Sequence, residues 1–171
     1  FENHGTISAG LNLGTTKGMH YKTMSDLMGA THMTDVDKFS VRDYGYNSPM
    51  IQNDLDNPNR IIREGDKFGY NYNVFVNKAH LWTNYQLTKG ATTLFAAFRI
   101  GTSTIEREGL MRNGRAENNS KGSSGVAKFL ESGGKIGFAF RPNNKNTITI
   151  GVGYEENAPT AYNAFVAPRL K

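Results

Sequence analysis

A two-residue alternation of apolar and polar side chains constrains the fold of this chain more than any other feature. It is clearest in the stretch FAFRPNNKNTITIGVGYE, residues 138–155. Successive side chains of a β-strand point to opposite faces, so the alternation predicts a sheet with one apolar face and one face of small or polar residues. The apolar set is Phe138, Phe140, Ile148, Ile150, Val152 and Tyr154. Such a face points either inward to a core or outward to an apolar surrounding.

The composition narrows the fold class. Of the 171 residues 37% are hydrophobic, and 19 are glycine, 10 phenylalanine and 8 tyrosine. No run of about 18 apolar residues is present, which excludes a transmembrane helix and favours an all-β protein. The net charge of +5 comes from scattered basic residues, so we do not expect nucleic-acid binding. The absence of cysteine excludes disulfides and thiolate metal ligands.

Five segments of the chain alternate in this way. They lie near residues 5–14, 74–87 and 92–105 and in the two halves of the opening stretch. We predict that they form an antiparallel up-and-down sheet of about five strands.

The connections between these segments alternate in length. They are long near 17–67 and 107–128 and short near 88–91 and 142–146. In an up-and-down sheet successive connections fall at opposite ends, so both long connections share one end. Outer-membrane barrels have this asymmetry, with short periplasmic turns and longer extracellular loops. The pattern therefore favours a transmembrane β-barrel segment with its apolar face in lipid, although a lipocalin-like soluble barrel or a sandwich also alternates.

The first long connection contains two local signals. TMSDLMGA at residues 23–30 predicts one or two helical turns capped by Thr23 or Ser25. The aspartate pairs in DVDKF and NDLDNPN are spaced so that they can offer oxygens to Ca²⁺, but neither begins a twelve-residue calcium loop. We expect these aspartates to stabilise turns.

We find no catalytic or metal-binding pattern in the sequence, and we predict neither an enzyme nor a bound cofactor. The four histidines lack the spacing of a zinc site, and we expect solvated or lumen-facing imidazoles. These are His4, His20, His32 and His80.

The candidate substrate-binding residues are aromatic and basic side chains in the loops or on the polar face. They are Tyr44, Tyr46, Trp82 and Arg99. Tyr70 and Tyr72 belong with these aromatics, which can stack on a sugar or an aromatic ligand. The alternative is that the tyrosines pack the long connection onto its neighbours.

Several stretches in order resemble the middle-to-late barrel of TonB-dependent outer-membrane receptors of the Bacteroidetes type. They are GMHYKTMSDLMGATHMTDVDKF, REGDKFGYNYN, EREGLMRNGRAENNSKGSSGVAKF and GGKIGFAFRPNNKNTITIGVGYEENAPTAYNAFVAPRLK. The resemblance covers nearly all of the chain, from about Gly10 to Lys171.

The resemblance implies a barrel of about 22 strands with a plug in its lumen. It implies uptake of a scarce nutrient across the outer membrane, driven through the TonB complex by parts not in this chain. Residues 1–171 are then expected to be a partial barrel domain without the plug, because five strands cannot close a bacterial barrel of even strand number. The expected partners are outer-membrane lipid and a surface lipoprotein bound by the long loops. The alternatives are a scaffold barrel of the same descent without transport, and a soluble lipocalin-like binding barrel.

Overall fold

Long β-strands make up most of the chain. The computed structural model describes residues 4–165 together with Ala167 and Arg169. The elements are β1 (His4–Thr23), β2 (Met33–Thr34), α1 (Lys38–Tyr44), β3 (Ile61–Ile62), β4 (Lys67–Lys89), β5 (Thr92–Gly109), β6 (Gly122–Asn143) and β7 (Asn146–Glu156). Single 3₁₀ turns lie at Pro49–Ile51 and Gly114–Ala116. The predicted all-β class is confirmed.

The five long strands form one open sheet in the order β1-β4-β5-β6-β7. β6 and β7 pair antiparallel, and their register places Phe138 opposite Ile150 and Ile136 opposite Val152. Apolar side chains therefore face apolar side chains across the strands, as the alternation predicts. The register shifts between Phe140 and Asn143, beside Pro142, which has no N–H to donate to the ladder.

Two-residue turns join β4 to β5 and β6 to β7. Gly90 of the first turn has φ +61°, a conformation that glycine adopts without steric cost. In the second turn the Asn143 side chain accepts hydrogen bonds from the backbone N–H groups of Lys145 and Asn146 at 2.9 and 3.0 Å. Both turns lie inside the predicted short connections near 88–91 and 142–146.

The strands are longer than the apolar alternation alone predicts. β1 continues to Thr23, and β6 begins at Gly122, inside the long connection predicted near 107–128. The added segments still alternate, but lysine and serine replace leucine and isoleucine in them. Backbone pairing does not depend on side-chain polarity, so the ladder continues where the hydropathy pattern fades. The long connections shorten accordingly to residues 24–66 and 110–121.

The chain divides into two compact units. Unit 1 comprises Phe1–Thr15, Asn77–Thr104 and Lys128–Ala158, and unit 2 comprises Thr16–Val76, Ile105–Ala127 and Pro159–Lys171. Unit 1 contains both two-residue turns, and unit 2 contains both long connections. Strands β1, β4, β5 and β6 contribute residues to both units.

Unit 2 has a small hydrophobic core of its own. Its buried apolar side chains are Ile51, Ile62, Tyr72, Val74, Ile105 and Met111. The short strands β2 and β3 pair antiparallel, and the Asp37 side chain caps α1 by accepting from the Phe39 N–H at 3.0 Å. Leu55 and Gly114 donate backbone hydrogen bonds to the carbonyls of Arg112 and Gln52 at 2.7 and 2.9 Å. The long connections are therefore folded against one another.

The helix lies elsewhere than the sequence predicts. Residues 23–30 form no helix, and the prediction was wrong there because Met28 and Gly29 both have positive φ, which a right-handed helix does not allow. The Asp26 carboxylate accepts from the Met28 N–H at 2.6 Å and stabilises a turn instead. No helix among the described residues is long and apolar enough to cross a membrane.

Candidate functional site

The apolar face of the sheet in unit 1 is uncovered. Large side chains on every strand of this face are exposed to the surroundings, including Ile7, Leu81, Phe98, Leu130 and Ile150. Leu130 and Ile150 are each 70% exposed. Proteins in water rarely leave a contiguous apolar face of this kind open. The face is therefore a candidate interaction surface.

The opposite face of unit 1 carries a buried polar group of three side chains, which we call the buried trio. It consists of Glu131, His80 and Ser103, which are 2%, 8% and 0% exposed. His80 Nε2 lies 2.8 Å from one Glu131 carboxylate oxygen, and the Ser103 hydroxyl donates to the other. His80 is therefore a buried partner of Glu131 on the polar face, and the expectation of a solvated imidazole was wrong for this residue. The buried side chains of unit 1 thus lie on the polar face of the sheet.

The buried trio does not have the connectivity of a nucleophilic triad. In such a triad the histidine accepts the proton of the serine hydroxyl, whereas here the serine donates to the carboxylate. The Ser103 side chain is also fully buried, so no substrate atom can reach its Oγ. The arrangement satisfies buried polar groups and holds β4, β5 and β6 together.

Aromatic side chains on the polar face lie over glycines of neighbouring strands. A Cβ on Gly10 would come within 2.7 Å of Trp82 Cζ2, and a Cβ on Gly137 within 2.7 Å of three Phe95 ring atoms. The rings therefore occupy the space that a side chain at either glycine would need. Such pairs shield the glycine backbone and fix the register of adjacent strands.

Trp82 and Arg99 share one groove on this face. The groove has a volume of about 480 Å³, and Asn84, Lys135 and Glu155 also line it. Arg99 donates to Glu155 and Asn157 at 2.9 and 2.6 Å, so the guanidinium is already held by the chain. The structure therefore brings together two of the candidate substrate-binding residues on the polar face of the sheet.

Tyr44 and Tyr46 lie apart from that groove, at and just beyond the end of α1 in unit 2. Both side chains are exposed, Tyr46 by 80%. They are candidates for a ligand or partner contact at the surface.

An aromatic row, Phe68, Tyr70 and Tyr72, lies along β4 in unit 2. The His20 ring stacks on Tyr72 at a centroid distance of 4.8 Å, and the Lys22 ammonium lies 5.3 Å from the Tyr70 centroid. The alternation of β1 continues through these two residues and places both of them against the row. The sequence indicated Tyr70 and Tyr72 as candidate stacking residues, but it did not indicate that His20 and Lys22 contact them, because residues 17–67 were predicted to be a loop. Continued alternation in KGMHYK was the available signal.

Ion pairs link the two long connections in unit 2. The Asp56 carboxylate accepts from Arg112 Nε at 2.7 Å and from Lys121 Nζ at 2.6 Å. The hydrogen bond from Lys121, and next that from Arg112, hold the pKa of Asp56 below its usual value. Asp35 is buried and accepts from Arg60 at 2.6 Å and from the Gly69 N–H at 3.0 Å. The aspartates of this region thus bind cations and backbone amides of the chain itself.

No group of three or more histidine, cysteine, aspartate or glutamate side chains in the described part of the chain is arranged to hold a metal ion.

Comparisons with protein-family models, with curated proteins and with solved structures found no match to this chain. The structure itself defines a mostly antiparallel β protein with a two-faced sheet and folded long connections.

Proposed function

We propose that the five-stranded sheet is an arc of the wall of a transmembrane β-barrel, with its apolar face toward lipid. The observation that carries this proposal is the polarity of the two faces: the apolar face is open, and the buried trio lies on the other side. In water the open face would be unfavourable, since each large apolar side chain gains about 1.5–3 kcal/mol when it is fully removed from water. A bilayer removes the whole face from water at once.

The edge strand β7 supports the same proposal. All eleven of its residues are exposed, and four large apolar side chains alternate along it. An exposed apolar edge strand invites aggregation in water, whereas in a barrel the same edge pairs with the next strand of the wall. We propose that β1 and β7 both pair with further strands.

The particular barrel that we propose is a TonB-dependent outer-membrane transporter of the Bacteroidetes type, which takes up a scarce nutrient. Two observations support this proposal. Several stretches of the sequence resemble this family in the same order, and the short connections are two-residue turns while the long connections are folded. In this proposal the segment supplies wall strands and an extracellular vestibule made from unit 2. The plug and the TonB-contacting segment belong to other parts of the protein. Tyr44 and Tyr46 are then positioned to contact a substrate or a surface lipoprotein, and Trp82 and Arg99 line the lumen.

Site-directed spin labelling tests the orientation of the sheet. The chain has no cysteine, so single cysteines at Ile150 and Thr149 can each be labelled alone in protein reconstituted into lipid vesicles. We expect the label at 150 to be accessible to oxygen dissolved in the bilayer and the label at 149 to a water-soluble nickel complex. The opposite pattern, or equal accessibility of both labels, would overturn the membrane proposal.

Protease treatment of intact cells tests the topology. Trypsin is expected to cut after Arg63 in the connection 24–66 without permeabilisation, and after Lys145 in a two-residue turn only once the outer membrane is opened. Cleavage at Lys145 alone in intact cells would place the long connections on the periplasmic side and refute the vestibule.

The intact mass of the polypeptide tests the transporter proposal. A wall of about 22 strands with a plug requires roughly 90 kDa or more, at about ten residues for each strand plus loops. A polypeptide of only 171 residues that remains soluble without detergent would contradict both the barrel and the transporter.

A further inference from the structure

Unit 2 contains a cavity of the size that small-molecule sites occupy. Its volume is about 730 Å³, and binding sites for small molecules range from about 300 to 1,000 Å³. About half of its lining residues are aromatic or basic: Lys22, Lys38, Phe39, Phe68, Tyr70, Tyr162 and Arg169. Neither Trp82 nor Arg99 lies in this cavity.

Lys22 is held in place by the aromatic row and not by an acidic partner. Its ammonium lies 5.3 Å from the Tyr70 centroid and 5.7 Å from the Phe68 centroid. Gly69 lies between these two rings, and a Cβ on it would touch the lysine Cδ at 3.6 Å, so the lysine stem passes over the glycine. No carboxylate of the described residues lies within ion-pair distance of this ammonium.

Arg169 approaches the same ring from its own segment. Its guanidinium carbon lies 5.3 Å from the Tyr70 centroid, and among the described residues it too has no carboxylate in ion-pair distance. Lys22 and Arg169 therefore both make cation–π contacts with the Tyr70 ring. A cation over a ring face keeps its charge available for a second partner.

The charges around the cavity do not balance. Lys22, Lys38 and Arg169 line it, and the one acidic residue in the described lining is Asp37. That carboxylate is already engaged, since it accepts from the Phe39 N–H and the Ser40 hydroxyl at 3.0 Å each and lies 3.6 Å from Arg115. The cavity therefore presents positive charge beside apolar ring surfaces.

We propose that this cavity binds an aromatic carboxylate. The carboxylate would lie between Lys22 and Arg169, and the planar ring would pack against Phe39 and Phe68. Charge-assisted hydrogen bonds fix the acid group, and ring packing supplies the apolar contact. This inference needs only the fold of unit 2 and holds whether or not the protein transports anything.

The test is isothermal titration calorimetry of the detergent-solubilised full chain with 2-naphthoate, compared with the neutral isostere 2-naphthamide. Buffer with the same micelles provides the blank for both compounds. We expect 2-naphthoate to bind with a Kd between about 10 µM and 1 mM, and 2-naphthamide at least about tenfold more weakly. Equal binding of the two compounds, or no binding of 2-naphthoate above the micelle blank, would overturn the proposal.

Two lysines of β1 provide a matched pair of variants. Lys22→Met keeps the aliphatic stem over Gly69 and removes the charge, so we expect it to weaken 2-naphthoate binding at least about tenfold. Lys17→Met is the control, because the Lys17 ammonium also lies over a ring, 5.3 Å from the Phe75 centroid, but does not line the cavity. Arg169→Gln is the second test variant and should weaken binding to a similar extent. An equal loss in Lys17→Met and Lys22→Met, or no loss in either Lys22→Met or Arg169→Gln, would refute the site.

Discussion

At the scale of single residues, polar side chains on the polar face of the sheet differ in how deeply they are buried. Glu131 is buried and serves two partners, whereas Glu155 is exposed and pairs with Arg99 at 2.9 Å. Removing the acceptor of a buried polar group leaves that group without a hydrogen bond, but removing an exposed partner lets water replace it. The two glutamates therefore form a matched pair for testing the buried trio.

Glu131→Leu is expected to destabilise the protein by about 1–3 kcal/mol, because His80 and Ser103 lose their buried acceptor. Glu155→Leu should cost no more than about 1 kcal/mol. Urea unfolding in detergent micelles, followed by circular dichroism, measures both variants. A Glu131→Leu effect no larger than that of Glu155→Leu would show that the buried trio does not stabilise the sheet.

Gly137→Ala is expected to destabilise unit 1 by about 1–3 kcal/mol, because its methyl group meets the Phe95 ring. Gly134→Ala on the same strand is the control, since its Cβ would meet only one atom, at an ordinary 3.7 Å. In a Phe95→Ala background the cost of Gly137→Ala should largely disappear. Thermal unfolding of the three single variants and of the double variant checks this, and additive losses would argue against the ring-over-glycine contact.

The sequence predicts which face of the sheet a side chain lies on better than it predicts which side chains of other strands it contacts. Period-two alternation correctly placed Phe138 and Ile150 on one face, because a strand fixes that geometry locally. It did not reveal that His80, Ser103 and Glu131 meet, because this contact depends on the register of three strands that are distant in the chain.

At the scale of elements, the long connections are held together by charge as well as by their small core. Asp56 in the connection 24–66 binds Arg112 and Lys121, which both lie in the connection 110–121. All three side chains are partly exposed, so the cluster is screened by salt. Its contribution therefore depends on pH and on ionic strength.

The stability of unit 2 is expected to fall as the solution is acidified through the lowered pKa of Asp56. A carboxylate whose pKa is lower in the folded state than the usual value of about 3.9 stabilises the fold above that value. The stability is lost as pH falls from about 4 through the folded pKa. Thermal unfolding from pH 6 to pH 2, at low and high salt, measures the loss.

Asp56→Asn separates this effect from general acid unfolding. The variant is expected to be less stable than the wild type at pH 6 and to lose less further stability on acidification. Asp26→Asn is the control, because Asp26 accepts only a local backbone bond from Met28 and pairs with no cation among the described residues. Identical acid profiles for Asp56→Asn and the wild type would contradict the role of the ion pairs.

The elements themselves could be predicted only in part. The two short turns could be predicted from TKGA and PNNKN, because glycine and asparagine determine local backbone geometry. The position of α1 could not be predicted, because KFSVRDY is short and either Asp35 or Asp37 could cap a helix that begins there. Tertiary contacts of the folded connection determine which of the two aspartates is the cap.

At the scale of the whole molecule, the environment of the apolar face distinguishes a soluble barrel from a membrane barrel. Alternation alone is compatible with a soluble barrel that buries this face and with a membrane barrel that turns it outward. The sequence cannot distinguish these, because both have the same period. The described sheet leaves the apolar face open and buries charge on the other side, and the lipid-facing proposal accounts for both observations.

Arginine substitutions on adjacent residues of β7 distinguish the two environments by their energetic cost. In a bilayer Ile150→Arg places a charge in hydrocarbon, which costs about 2–4 kcal/mol near the midplane and less toward the interfaces. Thr149→Arg places the same charge on the polar face, where water can solvate it. Unfolding from lipid vesicles should therefore show a large loss for Ile150→Arg and a small one for Thr149→Arg.

If the apolar face instead met water, Ile150→Arg would be a surface change worth at most about 0.5 kcal/mol, and if it lined a soluble core the protein would fail to fold without any lipid present. Only the lipid-facing sheet predicts a loss that grows as the substitution moves along β7 toward the middle of the bilayer, so Ile148→Arg and Val152→Arg complete the series.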